Sequence, residues 1–173
     1  MKDKLLLLVT FLLLLAPQFS AVSGSDHLLR QTILTTGGIR ISITTPLDRY
    51  RAQRAPGGGI KSPSIPLLIV IDNPTRQEWR CRSGKLLLDV VAQSSRRHET
   101  KAFRLGKKGM KIAAGKRAQK ELEVGAFLTG IAAGYMKGDT LEVKAVMSCR
   151  SAGGEVGRIE SNQVQISVFV PEG

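Results

Sequence analysis

Leu141-Glu142-Val143-Lys144-Ala145-Val146-Met147-Ser148-Cys149 decides the fold class. Leu141, Val143, Ala145, Met147 and Cys149 fall on one side, opposite Glu142, Lys144 and Ser148. A period of two is that of a β-strand with one face in a core and one in water, whereas a helix repeats every 3.6 residues. Gly138-Asp139 before the stretch and Gly153-Gly154 after it are turn signals. Cys149 sits on the core face.

The same alternation recurs on either side. Ile39, Ile41 and Ile43 alternate with Arg40, Ser42 and Thr44, behind a Gly37-Gly38 turn that sets off a short candidate strand at residues 32–35. Residues 67–71 form a continuous apolar strand stopped by Asp72-Asn73-Pro74-Thr75. Trp79 and Cys81 share one face, and Glu78, Arg80 and Arg82 the other. Ser83-Gly84 turns the chain. Leu86, Leu88 and Val90 then alternate with Leu87, Asp89 and Val91, so both faces are partly apolar. Residues 94–98 are a polar turn, residues 100–105 a shorter strand, and Met110 and Ile112 belong to another. Val164, Ile166, Val168 and Val170 form the closing strand.

Two stretches read differently. Residues 45–66 hold Pro46, Pro56, Pro63 and Pro66, the triplet Gly57-Gly58-Gly59, and Arg49, Arg51 and Arg54; they read as one long loop. Residues 117–136 carry two signals. Leu122 and Val124 suggest a strand, Leu128, Ile131 and Tyr135 have helical spacing, and period alone does not separate them. The sum is an all-β chain, a single antiparallel β-sandwich of about seven or eight strands. With Trp79 and Cys81 on one inner face and Cys149 on another, a disulfide lies in or beside the core.

Ser161-Asn162-Gln163-Val164-Gln165-Ile166-Ser167-Val168 resembles the last strand of bacterial immunoglobulin-like or fibronectin-III-like domains. Residues 67–71 running into Asn73 are similar in pattern to the same domains. The resemblance covers about 100 residues. Trp79 precedes Cys81 by two positions, which departs from the antibody-type order of cysteine, tryptophan, cysteine. The resemblance implies an immunoglobulin-like fold and a class of binding roles, and no chemistry.

The first residues bear on location. Lys2 and Lys4 precede an apolar run from Leu5 to Ala16, and Ala21-Val22-Ser23 supplies small residues one apart. This is the layout of a secretory signal peptide over residues 1–23, with an apolar run too short to span a bilayer. The expected product is a secreted or periplasmic chain of residues 24–173, one domain, with no transmembrane anchor after cleavage. In an oxidising compartment the paired Cys81 and Cys149 read as a disulfide closing a loop of about 70 residues, worth about 4 kcal/mol in chain-entropy models.

Charge gives the partner class. The chain has 26 basic and 14 acidic residues and a formal net charge of +12. Residues 96–120 hold Arg96, Arg97, Lys101, Arg104, Lys107, Lys108, Lys111, Lys116, Arg117 and Lys120 against the single acid Glu99. Like charges packed this densely favour an anionic partner, and Gly106, Gly109 and Gly115 suggest a pliable segment. Phe103 is the only aromatic among them, which argues against base stacking on nucleic acid. Arg49, Arg51 and Arg54 offer a secondary contact.

Catalytic constellations are weak. His98 lies in the charged stretch Arg96-Arg97-His98-Glu99, and His27 lies close to the mature terminus. Neither is joined to a nucleophile and an orienting acid. Glu121 and Glu123 point the same way at strand spacing, as on a solvated face. Residues 109–117 miss the spacing and the Ser/Thr of a phosphate-binding loop. The sequence therefore points to a non-enzymatic module without a cofactor, which contacts an envelope protein or an anionic surface polymer. The alternatives are a secreted hydrolase inhibitor presenting residues 45–66, or a subunit of an extracellular assembly or homo-oligomer, for which the outer apolar residues of the strands at 67–71 and 86–91 offer an interface.

Overall fold

The computed structural model describes residues 38–81, 85–106, 109–134, 137–154 and 156–172. The leader, His27, the strand expected at 32–35, Arg82 with the Ser83-Gly84 turn, Lys107, Lys108 and Tyr135 lie outside the described residues. The strands are β1 (Arg40–Thr44), β2 (Arg49–Arg51), β3 (Gln53–Arg54), β4 (Ile60–Lys61), β5 (Pro66–Asn73), β6 (Trp79–Cys81), β7 (Lys85–Ala92), β8 (His98–Arg104), β9 (Met110–Ile112), β10 (Lys116–Glu123), β11 (Gly138–Ser151) and β12 (Val156–Phe169). Among the described residues one helix, α1 (Gly125–Ala132), lies between β10 and β11. The described chain is therefore all-β apart from one short helix. Among the described residues no helix is long and apolar enough to cross a membrane.

Three sheets form where the sequence suggested one plain sandwich. A three-stranded sheet has the order β1-β5-β10, and β3 and β4 pair only with each other. The seven-stranded sheet is organised on β11. One side of β11 pairs with β12. Its other side pairs with β7 over Leu141–Val146 and then with β6 over Cys149–Ser151. β8 and β9 lie outside β7 and β6 respectively. Inward residues of the two larger sheets, among them Ile41, Ile69 and Ile71 with Trp79, Leu88, Leu141 and Ile166, enclose one apolar core.

Cys81 stands register-opposite Cys149, and the two form a disulfide. The bridge therefore joins neighbouring strands of one sheet, rather than the two facing inner surfaces expected from the sequence. Residues 45–66 are not one structureless loop either. β2 runs parallel to β12 and buries Tyr50 opposite Val168. β3 and β4 make a hairpin whose tip places Gly57 and Gly58 at φ of 95° and 89°. Strands of two or three residues carry too little period to be seen in sequence.

A β-bulge reconciles the two halves of β12. Ile159 and Val164 both point inward although their odd separation would put them on opposite faces. Ser161 and Asn162 together oppose Ala145, so β12 carries the extra residue. Ser161 Oγ accepts the Ala145 N–H at 2.8 Å. The Asn162 side chain accepts from Ile43 N and donates to Ile43 O, both at 2.9 Å, and so ties β12 to β1 of the other sheet.

The described residues of the 117–136 stretch contain both elements that its pattern suggests, β10 followed by α1. Gly125 opens the helix because a Cβ there would lie 2.0 Å from Pro63 O. Glu123 accepts from Ile65 N and Gly125 N at 2.9 Å and from the Ser64 hydroxyl. Glu123 stays exposed with Glu121, as on a solvated face, and these bonds also anchor the preceding loop to the helix N-terminus.

Asp139 performs a similar task at the start of β11. It is buried and accepts from Ser94 N, Ser95 N and Thr140 N. Burial raises the pKa of this carboxyl, but the donors from Ser94, Thr140 and Ser95 outweigh it and hold the group below the usual aspartate range. Asp139→Ala should cost about 1–3 kcal/mol, because three backbone donors lose their acceptor. The contribution is present above the unfolded aspartate value of about 3.9 and is lost as pH falls through the lower folded value. Denaturant titrations across pH should therefore show wild type and Asp139→Asn converging in acid. A constant gap would contradict the assignment.

Candidate anion-binding surface

Trp79, Cys81, Ile112 and Cys149 are buried. Alternation then sends Arg80, Lys111 and Arg150 to the outer face of the seven-stranded sheet. Register places them in line: Lys111 opposite Arg80, Arg80 opposite Arg150, and Arg150 opposite Val156. Neighbouring strands lie about 4.8 Å apart. Lys85 and Arg104 form a second directly opposed pair of cations on β7 and β8. Arg158, opposite Ser148, extends the face onto β12. All six cationic residues are exposed. Like charges set directly opposite each other destabilise a sheet, so this face carries an unfavourable charge arrangement in the free protein.

Two carboxylates border it. Glu78 accepts from Arg80 Nε at 2.9 Å, and Glu160 lies 3.5 Å from Arg158 and 3.1 Å from Lys144. The hydrogen bond from Arg80, with a further contribution from the Lys111 charge, outweighs desolvation and holds Glu78 below the usual carboxylate range. Glu78→Gln is expected to strengthen binding of a soluble polyanion and leave the thermal midpoint nearly unchanged, read by titration calorimetry and a thermal melt. Weaker binding would show that Glu78 positions Arg80 for the ligand rather than competing with it.

The basic segment at 96–120 divides among several surfaces. It is built largely of paired strands β8, β9 and β10 rather than a pliable loop. Arg104 and Lys111 belong to the face above. Arg96 occupies an exposed turn at φ 55°, and Arg97 pairs with Glu99. Lys101 points to the inner side, 5.7 Å from the Phe103 ring and 5.0 Å from that of Phe127. Lys116 and Lys120 stand opposite Asn73 and Ile69, while Arg117 lies 3.9 Å from Asp72 on the outer face of the other sheet. Inward-pointing lysines on the edge strands β8 and β10 guard against edge-to-edge association.

The arginines of the 45–66 stretch lie elsewhere. Arg49 sits 5.5 Å from the Phe169 ring, and Arg54 Nε donates to Pro171 O at 3.4 Å. β2 pairs with Ser167–Phe169, whereas the cationic row meets β12 at Val156. That separation is about 35 Å along the strand.

His98 is paired with Asp89, and Thr100 Oγ1 donates to the same Asp89 oxygen at 3.0 Å. Burial raises the Asp89 pKa, but these two hydrogen bonds outweigh it and keep the group below the usual aspartate range. Thr100 addresses the carboxylate rather than the imidazole, so the trio is not a nucleophile–base–acid relay. Among the described residues no group of three or more His, Cys, Asp or Glu is arranged to hold a metal ion.

No protein-family model and no curated protein matches the chain. Among solved structures it is similar to a Northeast Structural Genomics Consortium target, SoR45. The identity is 10%, with a TM-score of 0.51, over 75% of this chain and 86% of that one. It is also similar to the putative ApaA protein from Bordetella pertussis. There the identity is 9%, with a TM-score of 0.48, over 78% of this chain and 95% of that one. Likeness at such identity speaks to the fold alone.

Sequence reasoning missed Arg80, Lys85, Arg150 and Arg158, which are scattered along the chain. The usable signal was the cysteine pair. In an antiparallel ladder, one step back from Cys81 meets one step on from Cys149, which sets Arg80 against Arg150.

Proposed function

We propose that this protein is a secreted or periplasmic, non-catalytic binding module of immunoglobulin-like design. It engages an anionic envelope partner through the outer face of its seven-stranded sheet. The observation that carries the reading is the cross-strand row Lys111–Arg80–Arg150. Its mutual repulsion is relieved when negative charge lies over it. Two further features support the immunoglobulin-like reading: β1-β5-β10 facing a sheet in which β12, β11, β7 and β8 are neighbours, and the parallel β2–β12 contact. Secretion is supported by the signal-peptide pattern and the disulfide.

The test is co-sedimentation of the mature protein with a native envelope fraction as salt is raised. Wild type should bind at low salt and be released as screening grows. Arg80→Gln/Arg150→Gln should lose most of this binding while remaining folded. Loss instead in Arg51→Gln/Arg54→Gln would move the contact to the β2–β3 side and defeat the proposal.

A further inference from the structure

The geometry of the row restricts what it can hold. β6 is paired on both sides, by β9 and β11, and β11 is likewise flanked by β6 and β12. Their main-chain donors are therefore engaged in the ladders, and recognition falls to side chains. The surface is a strand face with no helix N-terminus on it, so it lacks the converging N–H groups that wrap a compact anion. Its cations instead extend across the strands, from Lys111 on β9 through Arg80 and Arg150 in direct register to Arg158 on β12, which lies two residues along from Val156, the residue opposite Arg150. Four strands at about 4.8 Å spacing make a row about 15 Å long. A single phosphate or carboxylate meets one or two of these groups and leaves the others opposed. A chain bearing repeated charges relieves the whole row at once. The two central positions are arginines, whose planar fork accepts phosphate or carboxylate oxygens in pairs. Ser148 adds a hydroxyl beside Arg158, and no aromatic side chain stands on the row, so bases have nothing to stack on.

From this, and resting on the function proposed above, we infer that the ligand is a linear polyanion lying across the strands β9, β6, β11 and β12, recognised by its repeated charge. A phosphate-bearing and a carboxylate-bearing chain share this chemistry. The alternatives, a compact anion, a lipid surface and an acidic protein face, differ in how binding depends on chain length.

The experiment is titration calorimetry of the mature protein with triphosphate, with linear polyphosphates of increasing length, and with oligogalacturonates. A parallel flotation assay uses phosphatidylglycerol vesicles. Affinity should rise with chain length until the polymer spans four strands and then level off. Preference between the two polymer series identifies the charged group, and binding of either supports the inference. With four contacts the slope of log K against log salt should be near −3, taking about −0.7 per contact as for single-stranded polyanions. Arg80→Gln/Arg150→Gln should roughly halve that slope, and Lys61→Gln/Lys137→Gln should leave it unchanged. Should the arginine variant fail to fold, the Glu78→Gln variant serves in its place, with tighter polymer binding expected and unchanged binding counting against the row. Equal affinity for triphosphate and long chains would overturn the linear-ligand inference. So would binding to vesicles or to the envelope fraction without binding to either polymer; in both cases the proposed function stands. An unchanged slope in the folded arginine variant would overturn both.

Discussion

Replacing Trp79 by alanine is expected to cost about 3–5 kcal/mol in a denaturant titration, as for other large buried aromatics. The side chain is 1% exposed and faces Ile112 on β9 and Ser151 on β11. It therefore fills the core directly beneath the cationic row. Its Nε1 donates to Thr75 Oγ1 at 3.2 Å, and that hydroxyl donates to Asn73 Oδ1 at 2.6 Å. Asn73, fully buried, donates in turn to Gln77 O, Ile112 O and Ala113 O. The tryptophan thus closes a network that fixes the end of β5 against β6 and β9. Trp79→Phe keeps most of the apolar volume and removes the indole donor, so it should cost much less. A loss below about 1 kcal/mol for the alanine variant would show that the site is not core.

Removing the disulfide with Cys81→Ala/Cys149→Ala should cost about 4 kcal/mol in the chain-entropy model, because the bridge closes a long loop. The sequence separation is 68 residues. A second effect is local. The bond holds β6 against β11 at the position next to the opposed Arg80 and Arg150. Without it, repulsion between those guanidinium groups acts on a three-residue strand. The variant should therefore bind polyanions less tightly even at temperatures where it remains folded. A folded variant with undiminished binding would show that the ladder alone holds the row in place.

Much of the fold was legible because alternation is a local signal. The faces of β1, β7 and β11 follow directly from which residues are apolar, and Cys149 and Trp79 lie inward as their strands require. The β10–α1 boundary was visible as a change of period, though no single residue marks it. Features that depend on pairing were not legible. The bulge at Ser161-Asn162 shows in sequence only as an odd interval between Ile159 and Val164. β2 and the β3–β4 hairpin are too short to carry a period. The site was the least legible, because charge density along the chain is not charge density in space. Side-chain alternation sends Lys101 and Arg104 to opposite faces of β8, and β10 carries Arg117 to the other sheet, while Arg80, Arg150 and Arg158 converge from distant positions.

The most direct measurement is a nuclear magnetic resonance titration of the mature, oxidised protein with long-chain polyphosphate, following backbone amide and arginine side-chain signals. The predicted result is a contiguous set of shifts on β6, β9, the end of β11 and the start of β12, centred on Arg80, Lys111, Arg150 and Arg158, that fades as salt rises. Shifts centred instead on Arg49–Arg54, or on Lys116 and Lys120 of β10, or saturable binding that leaves the four central residues unmoved, would contradict it.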